Sequence, residues 1–307
     1  MTGAVPELDS RAARVDWPDA QAAAAARDAA GADRGRLAEL AQWLAGTRGR
    51  HPAEAPTRPR CLVLGGVSAA VAALAESVDV GTRAVVPADH PADERSADHP
   101  ADGGSADGPA DEGTVTRGLT DGFALADDEV DAGADLLVVA GAAAGATGAN
   151  AAAVVVSLLT GTEPVALLPR GPAAVDTAAW VARAELLRDT RQRAADARAD
   201  PVALLDRLGD AALATATGLI LQAVVRRTPI VLDGVTAVVA ALLVADLASG
   251  AAQWCQVADV GADPVHARAV AELDRSPLLH LAMSAGDGVA GLLSVPLLRA
   301  AVTGKPE

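Results

Sequence analysis

Short apolar runs that end in glycine, proline or aspartate recur along this chain, and most are followed by a stretch of helix-forming residues. They are RCLVLGG (60–66), TRAVVPAD (82–89), DLLVVAG (135–141), EPVALLP (163–169), TPIVLDG (228–234) and QWCQVAD (253–259). Runs this short, bounded by turn residues, are the pattern of strands buried on both faces. A helix between two such strands returns the chain to the same sheet by a right-handed crossover, which makes the strands parallel. The expected class is therefore α/β, a mostly parallel sheet with helices on both faces in three layers.

Two segments fall outside that alternation. Residues 19–48 place Leu37, Leu40, Trp43 and Leu44 at helical spacing and predict a small helical subdomain, an N-terminal segment over 1–58. Residues 90–113 contain HPADERSAD, HPADGGSAD and GPADEG, near-copies of one Pro/Gly/Ser/Asp-rich unit. Such a unit buries too little apolar surface to offset the entropy of ordering, so it reads as a disordered insert. The α/β domain then spans 59–89 and 114–307. His90 and His99 recur with the repeat and have no fixed geometry between them, so no metal site is expected there.

On a parallel sheet, ligands bind beyond the carboxyl ends of the strands. The loops there are AGAAAGATGAN (140–150), PRGPAAVD (169–176), LDG (232–234), ADVGADPVH (258–266) and AGDG (285–288). Small residues let backbone amides approach an anion at a helix N-terminus. No Walker lysine follows them, and the one GxGxxG spacing, GDGVAG (286–291), follows no expected strand, which removes a dinucleotide-binding domain from consideration. The net charge of −15 and a single lysine, Lys305, exclude a nucleic-acid binder. Cys61 and Cys255 lie far apart in apolar runs and read as buried thiols. The apolar stretch 136–161 has Ala, Gly, Thr and Asn at its centre, so a strand, a loop and a buried helix are expected rather than a membrane span. The first twenty residues lack a basic segment followed by an apolar one, and a cytoplasmic protein is expected. Asp233 reads as a strand-ending turn, His266 equally as a helix-start or a site residue, and Trp180 and His280 as packing.

Taken in order, several stretches resemble the nicotinate-nucleotide:dimethylbenzimidazole phosphoribosyltransferase family. They are RGRLAELAQWLAG, ADDEVDAGADLLVVAG, DPVALLDRLGDAALATATGLILQAVVRRTPIVLDGVTAVVAALL, QWCQVADVGADPVH and SPLLHLAMSAGDGVAGLLSVPLLRAA. The resemblance covers most of the chain. It implies a Rossmann-like fold and transfer of phosphoribose from nicotinate mononucleotide to a benzimidazole-type base in cobalamin lower-ligand synthesis. It implies no cofactor and no metal, and either a homodimer or a heterodimer with an intact relative.

The family's base is the Glu of a GEG motif, which the resemblance carries onto Asp287 between Gly286 and Gly288. Near the phosphate and ribose it places Gly145, Gly148, Gly171, Arg183, Asp263 and His266. The matches are imperfect. The family's GEMGIGNTT loop is GAAAGATGAN here, its lysine corresponds to Arg183, its HRSxEPGH is DVGADPVH, and its AGDHGV segment is missing after the first strand. Asp259 stands where the family has an imidazole and is expected to oppose a phosphate. Two readings stay open: the transferase, with its activity intact or impaired, and a non-catalytic relative serving as partner subunit or nucleotide-binding protein.

Overall fold

The computed structural model describes residues 6–30, 34–87, 113–143, 145–170 and 176–303. The repeat units of 90–113, except Gly113, lie outside them, and so does Gly171. Among the described residues five strands are formed: β1 (Pro59–Leu64), β2 (Gly81–Val85), β3 (Leu136–Ala140), β4 (Ile230–Asp233) and β5 (Cys255–Val257). They make one parallel sheet in the order β2-β1-β3-β4-β5. Because the chain crosses from β2 on one side of β1 to β3 on the other, the sheet has its topological switch point between β1 and β3.

The helices are α1 (Pro6–Ala12), α2 (Ala20–Ala29), α3 (Arg36–Arg48), α4 (Ala69–Ser77), α5 (Thr114–Asp131), α6 (Gly145–Thr160), α7 (Thr177–Ala194), α8 (Pro201–Leu208), α9 (Ala211–Val225), α10 (Val235–Leu247), α11 (Pro264–Glu272) and α12 (Val289–Thr303). Alternation along the strands decides which of them each face meets. Leu62, Leu137, Val139, Ile230 and Leu232 pack with residues of α5, α6, α9, α10 and α11 such as Leu119, Val155, Ile220, Val238 and Val265. The intervening Cys61, Val63, Leu136, Val138, Ala140 and Val231 pack with Leu44 of α3, Val71 of α4 and Leu292, Val295 and Leu298 of α12. The expected three layers are present.

Many of the chain's acids are used to start helices. Asp19, Asp176, Asp200, Asp210 and Asp263 each accept a hydrogen bond from first-turn amides of α2, α7, α8, α9 and α11. Each thereby satisfies donors that the helix itself leaves unpaired.

One expected strand is not a strand. Pro164–Leu167, in EPVALLP, forms a 3-10 turn packed against α6, α7 and α11. Pro164 has no N–H for a ladder and suits the first position of a helical turn instead.

Candidate active site

The carboxyl ends of the strands are drawn together by glycine. The Gly141 amide donates to the Asp233 carbonyl at 2.9 Å, and the Thr236 amide to the Gly141 carbonyl at 3.0 Å. A Cβ on Gly234 (φ +88°) would stand 2.6 Å from both Gly141 O and Gly286 Cα. On Gly286 (φ +59°) it would meet Gly234 Cα at 2.9 Å and Ala142 N at 3.1 Å. Three loops, after β3, after β4 and before α12, thus touch backbone to backbone, at positions where any side chain would hold them apart.

The loop before α12 reaches the switch point itself. A Cβ built on Gly288 would lie 3.2 Å from Cys61 Sγ of β1 and 3.6 Å from Ala140 Cβ of β3. Asp287 is therefore carried to the crevice where open α/β sheets bind ligands. It is half-buried, and its Oδ1 accepts from the Val289 amide at 3.2 Å. Burial and the neighbouring Asp233 and Asp287 push the Cys61 thiol up to about 12, so it stays protonated.

Beneath Asp287 lies a second acid. Asp233, 5% exposed, ends β4 and accepts from the Gly291 amide at 2.9 Å. Its carboxyl is raised to about 6, chiefly by burial, with Asp287 and Asp259 adding to the rise and the amides of Gly291 and Gly288 opposing it. The expectation of a simple strand-ending turn describes the backbone of LDG but not this side chain, which points inward to another helix.

Asp259 is turned toward amides of its own chain. It is buried, with Oδ1 taking the Leu281 amide at 3.0 Å and Oδ2 the Met283 amide at 2.8 Å. Its charge is committed to holding the segment that leads to Asp287, because unpaired amides in that turn need acceptors. His266, also buried, accepts from the Gly261 amide at Nδ1 (3.4 Å), while its Nε2 has no partner among the described residues. Burial lowers its pKa although Asp263 and Asp259 pull the other way, which keeps the ring neutral. Asp263 is exposed and caps α11 through the Val265 amide at 2.8 Å. The two loops are joined by Ser284, whose Oγ accepts from the Ala262 amide at 3.2 Å.

The other candidates lie on α6 and α7. Gly145 is exposed at the start of α6 and Gly148 is buried one turn later. A Cβ on Gly148 would be 3.3 Å from Asp210 Oδ2, so an acid stands near this turn; burial raises its pKa and the Leu213 amide binds it at 3.0 Å. Arg183, on α7, has its Nε buried without a partner among the described residues. Trp180 is half-buried and donates from Nε1 to the Pro169 carbonyl at 2.9 Å, whereas His280 is exposed rather than packed.

The described residues provide a half-buried carboxylate at the switch point and, on α7, a guanidinium whose Nε has no partner among them. Residues 64–304 match the model of a family described as phosphoribosyltransferase. Similar proteins include the nicotinate-nucleotide–dimethylbenzimidazole phosphoribosyltransferases of Mycobacterium avium (strain 104) and Mycobacterium leprae (strain TN). Each is 37% identical, over 94% of this chain and 93% of its own length. The crystal structure of CobT from Thermus thermophilus shares the fold, with a TM-score of 0.74 over 97% of this chain and 95% of that one at 24% identity.

Proposed function

This chain belongs to the nicotinate-nucleotide:dimethylbenzimidazole phosphoribosyltransferase family, and on that premise we propose that it moves phosphoribose from nicotinate mononucleotide to a ring nitrogen of a benzimidazole-type base. The observation that carries the proposal is the position of Asp287, half-buried over β1 and β3 at the switch point. The leaving nicotinate is attached through a cationic pyridinium nitrogen, so its departure needs little acid assistance. The acceptor nitrogen attacks the anomeric carbon as that bond breaks, and the acceptor N–H proton passes to a base. A positioned carboxylate contributes about 10²–10⁴ in rate in that role, which we assign to Asp287. The phosphate is assigned to the first turn of α6 and to Arg183, where amide dipoles and a fixed positive charge favour an anion. We further propose that the protein works in the cytoplasm as a homodimer or beside an intact relative. Among the described residues no helix is long and apolar enough to cross a membrane.

A nucleotide-binding relative without turnover is the second reading, and one observation favours it. Asp287 Oδ1 is already engaged by the Val289 amide, on a side chain one C–C bond, roughly 1.5 Å, shorter than glutamate. Calorimetric titration with nicotinate mononucleotide, followed by a nicotinate-release assay with dimethylbenzimidazole, separates the two. The transferase binds and turns over; the second reading predicts binding alone; no binding removes both. Asp287→Asn is expected to lower turnover at least ~10²-fold while leaving nucleotide affinity nearly unchanged.

A further inference from the structure

Resting on the transferase reading, we infer that Asp233 is a positioning residue that clamps the first turn of α12 and so fixes where Asp287 stands at the rim. Gly288 directly precedes α12, and the Leu292 amide closes the first helical bond on its carbonyl at 2.9 Å. The amides ahead of that bond have no partner within the helix. Val289 gives its amide to Asp287 at 3.2 Å, and Gly291 gives its amide to Asp233 at 2.9 Å. The helix N-terminus is thus held by two carboxylates, one from its own loop and one from the end of β4, 58 residues away.

The approach requires glycine. A Cβ on Gly291 would lie 2.3 Å from Val138 Cγ1 and 3.5 Å from Asp233 Cβ, so α12 rests directly on β3 and β4. The backbone of 288–291 therefore has one seat, and the Cα of Asp287 is tied to it through Gly288. A charged acceptor holds the seat more strongly than a neutral one, and the positive end of the helix favours it further. The titratable groups facing Asp233 are Asp287, Asp259 and the neutral thiol of Cys61. Both charged neighbours repel it, and a fold selected for stability alone has no need of an acid here. An acid there fits a role in orientation, because misplacing a reacting group by about 1 Å costs ~10²-fold in rate.

The test compares Asp233→Asn, Asp233→Ser, Asp287→Asn and the Asp233→Asn/Asp287→Asn double variant with the unaltered protein in the nicotinate-release assay. Asp233→Asn is expected to lower kcat about tenfold or more with the KM for nicotinate mononucleotide within about twofold, and the double variant to be no slower than Asp287→Asn, since groups acting as a unit do not add. In the unaltered protein kcat/KM is expected to rise with pH through about 6 as Asp233 ionises, and Asp233→Asn is expected to lose the limb near 6. A near-normal kcat in Asp233→Asn, an unmoved acid limb, or a double variant slower by the product of the single losses overturns the inference.

Should the unaltered protein release no nicotinate, the transferase reading fails while the clamp is decided by hydrogen exchange. The amides of Gly291 and Leu292 are expected to exchange about tenfold faster in Asp233→Ser, with α5 amides unchanged as the control for folding. Unchanged exchange at Gly291 and Leu292 overturns the clamp itself.

Discussion

At the scale of single residues, three aspartates near one another have separate tasks. Asp259 accepts from two loop amides, Asp233 from the Gly291 amide in the first turn of α12, and half-buried Asp287 from the Val289 amide. The raised carboxyl of Asp233 has a thermodynamic consequence. Between the unfolded value of 3.8 and the folded value of about 6, the folded state binds more protons than the unfolded state. Its contribution to stability is therefore complete below the unfolded value and is lost as pH rises through about 6. The difference is about 3 kcal/mol at about 1.4 kcal/mol per pH unit. His266 acts in the opposite sense, since its lowered pKa withdraws stability as pH falls below the unfolded value of 6.5. Subtracting the pH-dependence of stability in Asp233→Asn from that of the unaltered protein removes the His266 contribution. Urea midpoints from pH 4 to 7.5 should then leave a difference that grows with pH in favour of the variant. A flat difference would show that Asp233 is not held as described. The GDG segment stood out in the sequence because it interrupts an apolar stretch. Asp233 did not, because LDG is also ordinary turn chemistry and nothing local says that its carboxyl meets an amide 58 residues on.

Among the elements, the tightest junction is the crossing of α5 and α9. A Cβ on Gly122 would fall 2.2 Å from Thr215 O, and one on Gly218 would fall 2.3 Å from Leu119 O. The two backbones meet without intervening side chains, and neither can yield to a methyl group. Gly218→Ala is expected to cost about 3 kcal/mol, as overpacking at a rigid contact does, and to move the urea midpoint without changing the m-value. A change within 0.5 kcal/mol, roughly that of a surface substitution, would mean that the helices separate freely. Strand and helix types were mostly readable because their apolar periods differ and turn residues bound them. EPVALLP misled because a short apolar run has the same composition in a strand and in a buried helical turn. Pro164 was the local sign that settles it, and the packing against α6, α7 and α11 is what the sequence could not display.

For the molecule as a whole, the proposed ligand contacts come from loops on several elements, so binding should stabilise the fold globally. At 100 times its Kd, nicotinate mononucleotide is expected to add about 2.7 kcal/mol and to raise Tm by several degrees. Asp287→Asn should show nearly the same rise, since that acid is assigned to the acceptor and not to the nucleotide. A Tm that does not move at saturating nucleotide would remove the ligand-centred readings together. The sequence by itself determined the alternation of strands and helices, except at EPVALLP, and the family, because periodicity, turn residues and motif order are written locally. Only the tertiary structure decided that the loops at Gly141, Gly234 and Gly286 meet, that Gly288 lies over the switch point, and that Asp233 and Asp259 turn inward. Those arrangements depend on how closely distant backbones approach, and that distance is set by the packing of the assembled layers rather than by any one stretch of residues.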